Sequence, residues 1–256
     1  SSPQADKDGF MFESLLNLLK QQLKSSRAAS SAIGNVMRAV RTGDRRLVSP
    51  LRAPHSPLNR RVSRNRRFAT QQFDLARLRA VAKAANGTMN DVILALCAGA
   101  LRQYLTQKNS LPIESLTAML PVNIRPKDDP GGGNAIAAIL ANLATDIDDP
   151  KARLQAIIDS TQAAKSQLSG MSRAAILQYS ALLMSPLVLQ QLPGMPGRVR
   201  PAFNVVISNV PGSEQPLYFE GWKLEAAYPV SIPFHGFGLN ITVQSYANTL
   251  NFGFIG

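Results

Sequence analysis

The apolar positions of this chain recur with helical spacing through its middle and with strand spacing toward its end. The helical spacing predicts helices over residues 10–24, 28–41, 73–84, 89–104, 150–168 and 173–191. Short apolar runs bounded by proline and glycine predict strands over 116–122 and 135–145, and about four more between 201 and 256, including 228–236. This mixed order favours an α/β or α+β fold, in which helices flank a mixed sheet.

Two of the predicted helices begin at recognisable capping residues. Asp74 and Thr88 each precede an apolar-periodic run, and Asp91 falls in the first turn of the second run, where the helix dipole favours an acidic side chain. We therefore expect Asn90 and Asp91 to support this helix start and to hold a nearby loop in place.

Positive charge is concentrated near the beginning of the chain. The whole chain of 256 residues carries a net charge of +12, and ten arginines against one acid, Asp44, lie between residues 38 and 67. Prolines make the second half of that span a poor helix. Residues 1–67 are therefore predicted to form an amphipathic helix and a basic connector, and residues 68–256 a globular domain.

Three interpretations of the basic connector stay open. It can be a solvated linker, or a surface attracted to anionic lipid or to a polyanionic cofactor. Nucleic-acid binding ranks last, because the span belongs to no recognised binding fold. The amphipathic segment 10–24 has two readings as well: it packs on a neighbouring domain or lies in a lipid interface.

Most standard catalytic constellations are missing from the sequence. There is no Gly-x-Ser-x-Gly elbow, and Gly131-Gly-Gly133 fits neither a dinucleotide fingerprint nor a phosphate loop. His55, His235 and the single cysteine, Cys97, give no metal-ligand spacing and no disulfide. We expect no metal and no redox cofactor, and a single cysteine fits a reducing cytoplasm.

Five segments, taken together, resemble the bacterial wax ester synthase/diacylglycerol acyltransferase family. They are the Asn-Asp helix at 88–105, the Pro-Val-Asn-Ile-Arg segment at 121–125, Gly133-Asn134 with Asn142, Ser-Asn-Val-Pro-Gly at 208–212, and the stretch from Pro-Phe-His-Gly at 233–236 to Asn-Phe-Gly-Phe at 251–254. The resemblance covers about residues 68–256, whereas residues 1–67 match only loosely. It implies half of a chloramphenicol acetyltransferase-like fold, that of the coenzyme A-dependent acyltransferases, whose two similar halves meet at the active site.

The resemblance also implies where the general base lies. The family carries it in a His-His-x-x-x-Asp-Gly segment, whereas the early Asp8-Gly9 of this chain follows Pro3 and Gln4 at the histidine positions. We therefore expect no catalytic residue in this chain and a general-base histidine in an N-terminal half outside it.

The resemblance assigns site-lining roles to polar residues near strand ends. Asn123 and Arg125 follow a predicted strand, and Arg125 is expected either to meet the diphosphate of coenzyme A or to form an internal ion pair. Ser208 and Asn209 are expected to face the domain interface and to hydrogen-bond the thioester or the tetrahedral intermediate. Gly212 and His235 complete the candidate set. For Gly212 we expect a tight turn or a close approach of the substrate's backbone, whereas for His235 a structural hydrogen bond remains the alternative.

The implied activity is acyl transfer from a fatty acyl-coenzyme A to a long-chain alcohol or to diacylglycerol, giving wax esters and triacylglycerols. The coenzyme A thioester is then a substrate rather than a cofactor. The expected partners are these substrates, the N-terminal half, and a membrane or lipid-body surface on the cytoplasmic side, without nucleic acid. Two alternatives remain: an acyltransferase of the same fold with another acceptor, and a non-enzymatic module that binds lipid surfaces.

Overall fold

The computed structural model describes residue 48 and residues 53–123, 136–168, 173–190 and 200–256. The helices expected over 10–24 and 28–41, and the candidate residue Arg125, lie outside these ranges. Among the described residues, no helix is both long enough and apolar enough to cross a membrane.

Eight strands and four α-helices are found in the described ranges. The strands are β1 (Phe68–Asp74), β2 (Thr117–Asn123), β3 (Ile136–Asn142), β4 (Val205–Val210), β5 (Tyr218–Phe219), β6 (Trp222–Lys223), β7 (Asn240–Tyr246) and β8 (Thr249–Ile255). The helices are α1 (Leu75–Ala84), α2 (Met89–Gln107), α3 (Pro150–Leu168) and α4 (Arg173–Gln190).

Six of these strands form one mixed sheet in the order β1-β8-β7-β4-β2-β3, and β5 pairs only with β6 in a separate hairpin. In the middle of the sheet, β4 runs parallel to both β2 and β7. Toward the edges, β3 pairs with β2, and β8 with β7 and β1, in antiparallel fashion. Helices flank this mixed sheet, so the predicted fold class is confirmed.

Helices α1, α2 and α3 cover one face of the sheet, which we call the helix face. Its core joins Ile93 and Leu105 of α2 and Ile157 of α3 to Ile207 of β4 and Val243 of β7, all of them buried. Because successive strand residues point to opposite faces, these strand positions show which side of β4 and β7 the helices occupy.

The opposite face has a different covering. Helix α4 packs there through Tyr179 and Leu183, which join a smaller core with Leu140, Phe203 and Phe237. Phe203 and Phe237 stack at 4.1 Å between ring centroids. This core anchors the loop that contains residue 237 against the start of β4.

Several predicted elements agree closely with the structure. The strands over 116–122 and 135–145 correspond to β2 and β3, and the helices over 150–168 and 173–191 correspond to α3 and α4. Asp74 caps α1 as expected, with its Oδ1 accepting from Arg77 N at 2.7 Å. Helix α2 begins at Met89 as predicted and continues to Gln107, three residues beyond the expected end at 104.

Two predictions about strands are wrong. No element was predicted over residues 68–72, and residue 73 was placed in the following helix, but Phe68–Asp74 forms β1, because its backbone pairs with β8 at the other end of the chain. Residues 228–236 were expected to form a strand. Instead they run across the sheet without joining it, because Pro229 and Pro233 have no N–H to donate to a ladder.

Residues 53–60, inside the expected connector, are attached to the domain. Leu58 is buried in the main core, and its carbonyl accepts from Gly238 N at 2.8 Å. Asn204, which is fully buried, donates from Nδ2 to Asn59 Oδ1 and to Pro54 O, both at 2.7 Å. Residues 53–60 therefore pack against the domain beside the 236–238 loop.

Candidate functional site

The start of α2 carries a cluster of hydrogen bonds, which we call the capping cluster and define as the exposed Thr88 and the buried Asp91 and Thr161. Asp91 Oδ2 accepts from both the backbone N and the Oγ1 of Thr88 at 2.7 Å, and its Oδ1 accepts from Thr161 Oγ1 at 2.6 Å. Only 1% of Asp91 is exposed. The carboxylate is thus engaged inside the protein, where it ties α2 to α3.

Asn90 lies next to this cluster but makes a different contact. Its Oδ1 accepts from Nδ2 of Asn209 at 3.0 Å, which joins the exposed start of α2 to the end of β4. The structure therefore brings together two of the residues singled out by sequence, across 119 positions of the chain. Asn90 holds a strand end in place and does not cap its own helix.

Ser208 and Asn209 are separated by the geometry of their strand. They are successive residues of β4, so their side chains point to opposite faces of the sheet. Asn209 is on the helix face, toward Asn90, and the half-buried Ser208 is on the other face, in register with Thr242 of β7. The two side chains do not converge on one point.

The face that carries Ser208 has a row of polar side chains that we call the polar face. Thr242 Oγ1 lies 3.2 Å from both Ser231 Oγ and Asn240 Oδ1. Asn251 of β8 lies on the same face; it is fully buried and its Nδ2 has no acceptor among the described residues. Hydroxyl and amide groups in this row can donate hydrogen bonds to a carbonyl oxygen.

Sequence reasoning missed Ser231, Asn240 and Thr242. The signal was present in β7, whose residues Asn240, Thr242 and Gln244 are polar at every second position, between buried apolar neighbours. Such alternation predicts one polar face of a strand. Ser231 had no comparable signal, because it meets Thr242 from a segment outside the sheet.

Asn123 and Gly212 have clear places in the fold. Asn123 is the exposed last residue of β2, paired with Ile136. Gly212 N donates to Ser245 Oγ at 3.1 Å, and a Cβ at residue 212 would lie only 1.9 Å from the backbone oxygen of Ser245. The close approach at Gly212 is therefore made by the chain's own backbone and not by that of a substrate.

His235 lies in another environment, an open groove of about 520 Å³ that we call the arginine groove. Its lining consists of Arg61, Val62, Ser63, Arg64, Arg66, Pro233, Phe234 and His235. None of the other candidate site residues that the structure describes lines this groove. His235 is exposed there, beside guanidinium groups rather than beside the polar face.

The described residues contain no grouping of His, Cys, Asp and Glu that could hold a metal ion. Cys97 is buried in α2, and this burial raises the pKa of its thiol to about 12. A thiol with so high a pKa is a poor nucleophile at neutral pH. The chemical groups that remain for a site are the hydrogen-bond donors of the polar face and the cations of the arginine groove.

The fold has solved counterparts. A starter condensation domain of rhizomide synthetase is similar with a TM-score of 0.52 and 14% identity, over 94% of this chain and 50% of that one, which shows a shared fold. A wax ester synthase/diacylglycerol acyltransferase from Marinobacter aquaeolei is similar with a TM-score of 0.71 and 36% identity, over 91% of this chain and 51% of that one. The domain thus has the fold of the coenzyme A-dependent acyltransferases.

Sequence comparison gives the family. Residues 2–93 match the wax ester synthase/diacylglycerol acyltransferase catalytic domain, and residues 132–256 match the C-terminal domain of the same family. The O-acyltransferase WSD of Acinetobacter baylyi is 52% identical over 208 residues, which cover 81% of this chain and 45% of that protein. The chain belongs to the wax ester synthase/diacylglycerol acyltransferase family.

The matches also define how much of the family's length is present. The chain spans about half the length of the relatives it matches, 45% of the Acinetobacter protein and 51% of the Marinobacter chain. The catalytic-domain match begins at residue 2. Similarity to the family thus extends upstream of residue 68, further than the motifs in the sequence indicated.

Proposed function

We propose that this chain is part of an O-acyltransferase that moves a fatty acyl group from coenzyme A to a long-chain alcohol or to diacylglycerol. The observation that carries the proposal is the 52% identity to a protein named as an O-acyltransferase. The products are then wax esters and triacylglycerols. The reaction joins the acceptor oxygen to the acyl carbon, breaks the carbon–sulfur bond of the thioester and releases coenzyme A as the thiol.

In this proposal the chain binds and orients, and a histidine outside its 256 residues removes the acceptor's proton. The chain has only two histidines, His55 in the connector and His235 in the arginine groove. The polar face carries the half-buried hydroxyl of Ser208, a donor that suits the carbonyl oxygen of a thioester or the oxyanion formed from it. No metal or redox cofactor takes part in this chemistry.

The proposed partner for the polar face is the other half of the acyltransferase fold. Apolar surface for such an association is available on the hairpin β5–β6, where Phe219 is 78% and Trp222 is 81% exposed. Large apolar side chains clustered on a surface are typical of interaction sites.

We further propose that the enzyme works on the cytoplasmic surface of a membrane or lipid inclusion, where its water-insoluble substrates collect. The net charge of +12 supports attraction to an anionic surface. The measurement is flotation with vesicles that contain anionic lipid. Replacing Arg60, Arg61, Arg64, Arg66 and Arg67 with Glu should abolish flotation, and unchanged flotation would exclude this location for the basic segment.

The activity is tested by acyl transfer from labelled palmitoyl-coenzyme A to hexadecanol and to a diacylglycerol. The chain is assayed alone and joined to the family's N-terminal half, with carbohydrate and amine acceptors as competitors. Activity only in the joined form supports the proposal. Activity of the chain alone would place the base within it, at His55 or His235, and activity with other acceptors alone would favour a different acyltransferase.

A non-enzymatic module that binds lipid surfaces is the alternative from another class. The observation that favours it is the dominance of basic and exposed apolar surface over titratable catalytic groups among the described residues. It predicts vesicle binding by the chain together with an inactive joined form.

A further inference from the structure

We propose that the arginine groove is a binding site for a phosphate group. The groove brings Arg61, Arg64 and Arg66 together on one wall and His235 on the other, around an open volume of about 520 Å³. Guanidinium groups bind phosphate through paired N–H donors, and imidazole adds a further donor. The inference rests on the proposed function and deepens it, because it names the chemical group that the groove binds, and this binding is measured without turnover.

The arginine wall is a loop held at both ends. At its start, Arg60 O accepts from Gly236 N at 3.3 Å, and at its end Arg67 exchanges backbone hydrogen bonds of 2.8 and 3.0 Å with Gly256. Inside the loop, Ser63 Oγ accepts from Asn65 N at 3.1 Å, and Arg66 Nη1 donates to the carbonyl of Ser63. A loop with fixed ends keeps its cations near one another at little further entropic cost on binding.

The opposite wall, which carries His235, is hydrogen-bonded to Asn59, the residue directly before the arginine loop. Asn59 Nδ2 donates to Gly236 O at 2.9 Å and to Phe203 O at 3.0 Å, while Asn59 Oδ1 accepts from the buried Asn204. Phe237 is stacked against Phe203. The groove is therefore formed by two walls that one hydrogen-bonded pair, Asn59 and Asn204, holds together.

Neither of the two chain segments that form the walls of the groove contains an acidic residue. No Asp or Glu occurs between residues 45 and 73 or between residues 226 and 256. Within the described part of the chain, Arg61 and Arg64 have no carboxylate partner. An arrangement of cations without internal counter-ions raises the local concentration of anions.

Apolar side chains continue from the groove along the 228–236 segment. Phe234 lines the groove and is 63% exposed, and Ile232 and Val230 are 69% and 66% exposed. Both the phosphates of an acyl-coenzyme A and the headgroup of an anionic lipid present phosphate on a molecule that also carries hydrocarbon. The shared chemistry is the phosphate ester, and the two sources are separated by experiment.

The test uses the whole 256-residue chain and two probes. Adenosine 3′,5′-bisphosphate, titrated by calorimetry, represents the soluble nucleotide. Phosphatidylcholine vesicles with and without phosphatidylglycerol, in a flotation assay, represent the lipid headgroup. The groove variant is Arg61→Gln with Arg64→Gln, and the matched control is Arg77→Gln with Arg79→Gln, which removes the same charge from exposed positions on α1.

We expect the groove variant to bind at least one probe about tenfold more weakly, as the loss of charge-assisted hydrogen bonds implies, while the control changes less than about twofold. Loss of bisphosphate binding alone assigns the site to the nucleotide, and loss of vesicle binding alone assigns it to the headgroup. Equal weakening in both variants would show diffuse attraction and overturn the proposal. So would the absence of any binding by the unaltered chain. Because these arginines are exposed, thermal melting of both variants should match that of the parent chain.

Discussion

The capping cluster and the arginine groove lie on the same domain and use their charged groups in opposite ways. In the capping cluster, the single carboxylate of Asp91 is 1% exposed and receives three hydrogen bonds from Thr88 and Thr161. In the groove, Arg61 and Arg64 are exposed and have no acidic partner among the described residues. The carboxylate of the capping cluster is hydrogen-bonded within the protein, whereas the guanidinium groups of Arg61 and Arg64 are accessible to solvent or to a ligand.

This difference separates stability from binding. A buried polar group that loses its partners leaves donors unsatisfied, so changes in the capping cluster should lower the free energy of unfolding. An exposed cation without a partner contributes little to folding, so changes in the groove should affect ligand binding alone. If replacing a groove arginine lowered the free energy of unfolding, or if changes in the capping cluster left it unaltered, the distinction between the two regions would fail.

Asp91→Ala should have the largest effect. It removes the shared acceptor of Thr88 N, Thr88 Oγ1 and Thr161 Oγ1, of which Thr161 Oγ1 keeps a 3.0 Å contact to the carbonyl of Ile158, and we expect a loss of about 3 kcal/mol in the free energy of unfolding. Asp74→Ala, which removes the exposed cap of α1, should cost about 1 kcal/mol. Urea denaturation of both variants is the measurement, and equal losses would contradict the special role of the buried carboxylate.

Asn59→Ala should come next and should affect both properties. It removes the donor to Phe203 O and Gly236 O and the acceptor of Asn204 Nδ2, for a loss of about 2 kcal/mol. Because the two walls of the groove meet at this residue, phosphate binding should weaken as well. Asn65→Ala is the control on the arginine wall and should leave stability unchanged within about 0.5 kcal/mol. Undiminished binding by Asn59→Ala would show that the groove does not depend on this frame.

Much of the helical structure was predictable because its signals are local. Thr88 with Asp91 three residues later is a capping box, and the structure has both of its hydrogen bonds. Pro150 begins α3 as expected, because proline fits the first turn of a helix. Neighbouring residues alone determine such boundaries.

The missed elements depend on residues far away in the chain. β1 contains Thr70, Gln71 and Gln72 and has no strand-like alternation, and it becomes a strand by pairing with β8 at the edge of the sheet. The 228–236 segment has strand-like composition, yet the Pro229 carbonyl packs against Gly253, where a Cβ would lie 1.8 Å away. Pattern reasoning over a short window detects neither arrangement.

The candidate site was predictable only in part, for the same reason. The motifs containing Asn90 and Asn209 were recognised separately, but their hydrogen bond spans 119 positions and belongs to the tertiary fold. Likewise, the arginines and His235 were both noticed, and only the structure places them in one groove. Sequence identified the residue types, and folding determined which of them meet.

Thr161→Val should give a smaller effect than either of the first two variants. It removes the 2.6 Å contact to Asp91 Oδ1 and the 3.0 Å contact to the carbonyl of Ile158, and it leaves the two hydrogen bonds from Thr88 to Asp91 in place. We expect a loss of about 1 kcal/mol in the free energy of unfolding. Thr106→Val, at an exposed position of α2, is the control and should be neutral. A loss as large as that of Asp91→Ala would mean that the carboxylate acts mainly through Thr161.

Asn209→Ala should have the smallest effect on stability. Its hydrogen bond to Asn90 is exposed, so water can replace it, and the free energy of unfolding should change by no more than about 0.5 kcal/mol. Combining it with Asn90→Ala in a double-mutant cycle should give a coupling energy of similar size. A larger coupling energy would mean that this exposed pair stabilises the fold as strongly as the hydrogen bonds of the capping cluster do. If instead the free energy of unfolding is unchanged while the rate of acyl transfer by the joined enzyme falls, Asn209 acts on the substrate. The end of β4 is then a binding region, as the groove is proposed to be.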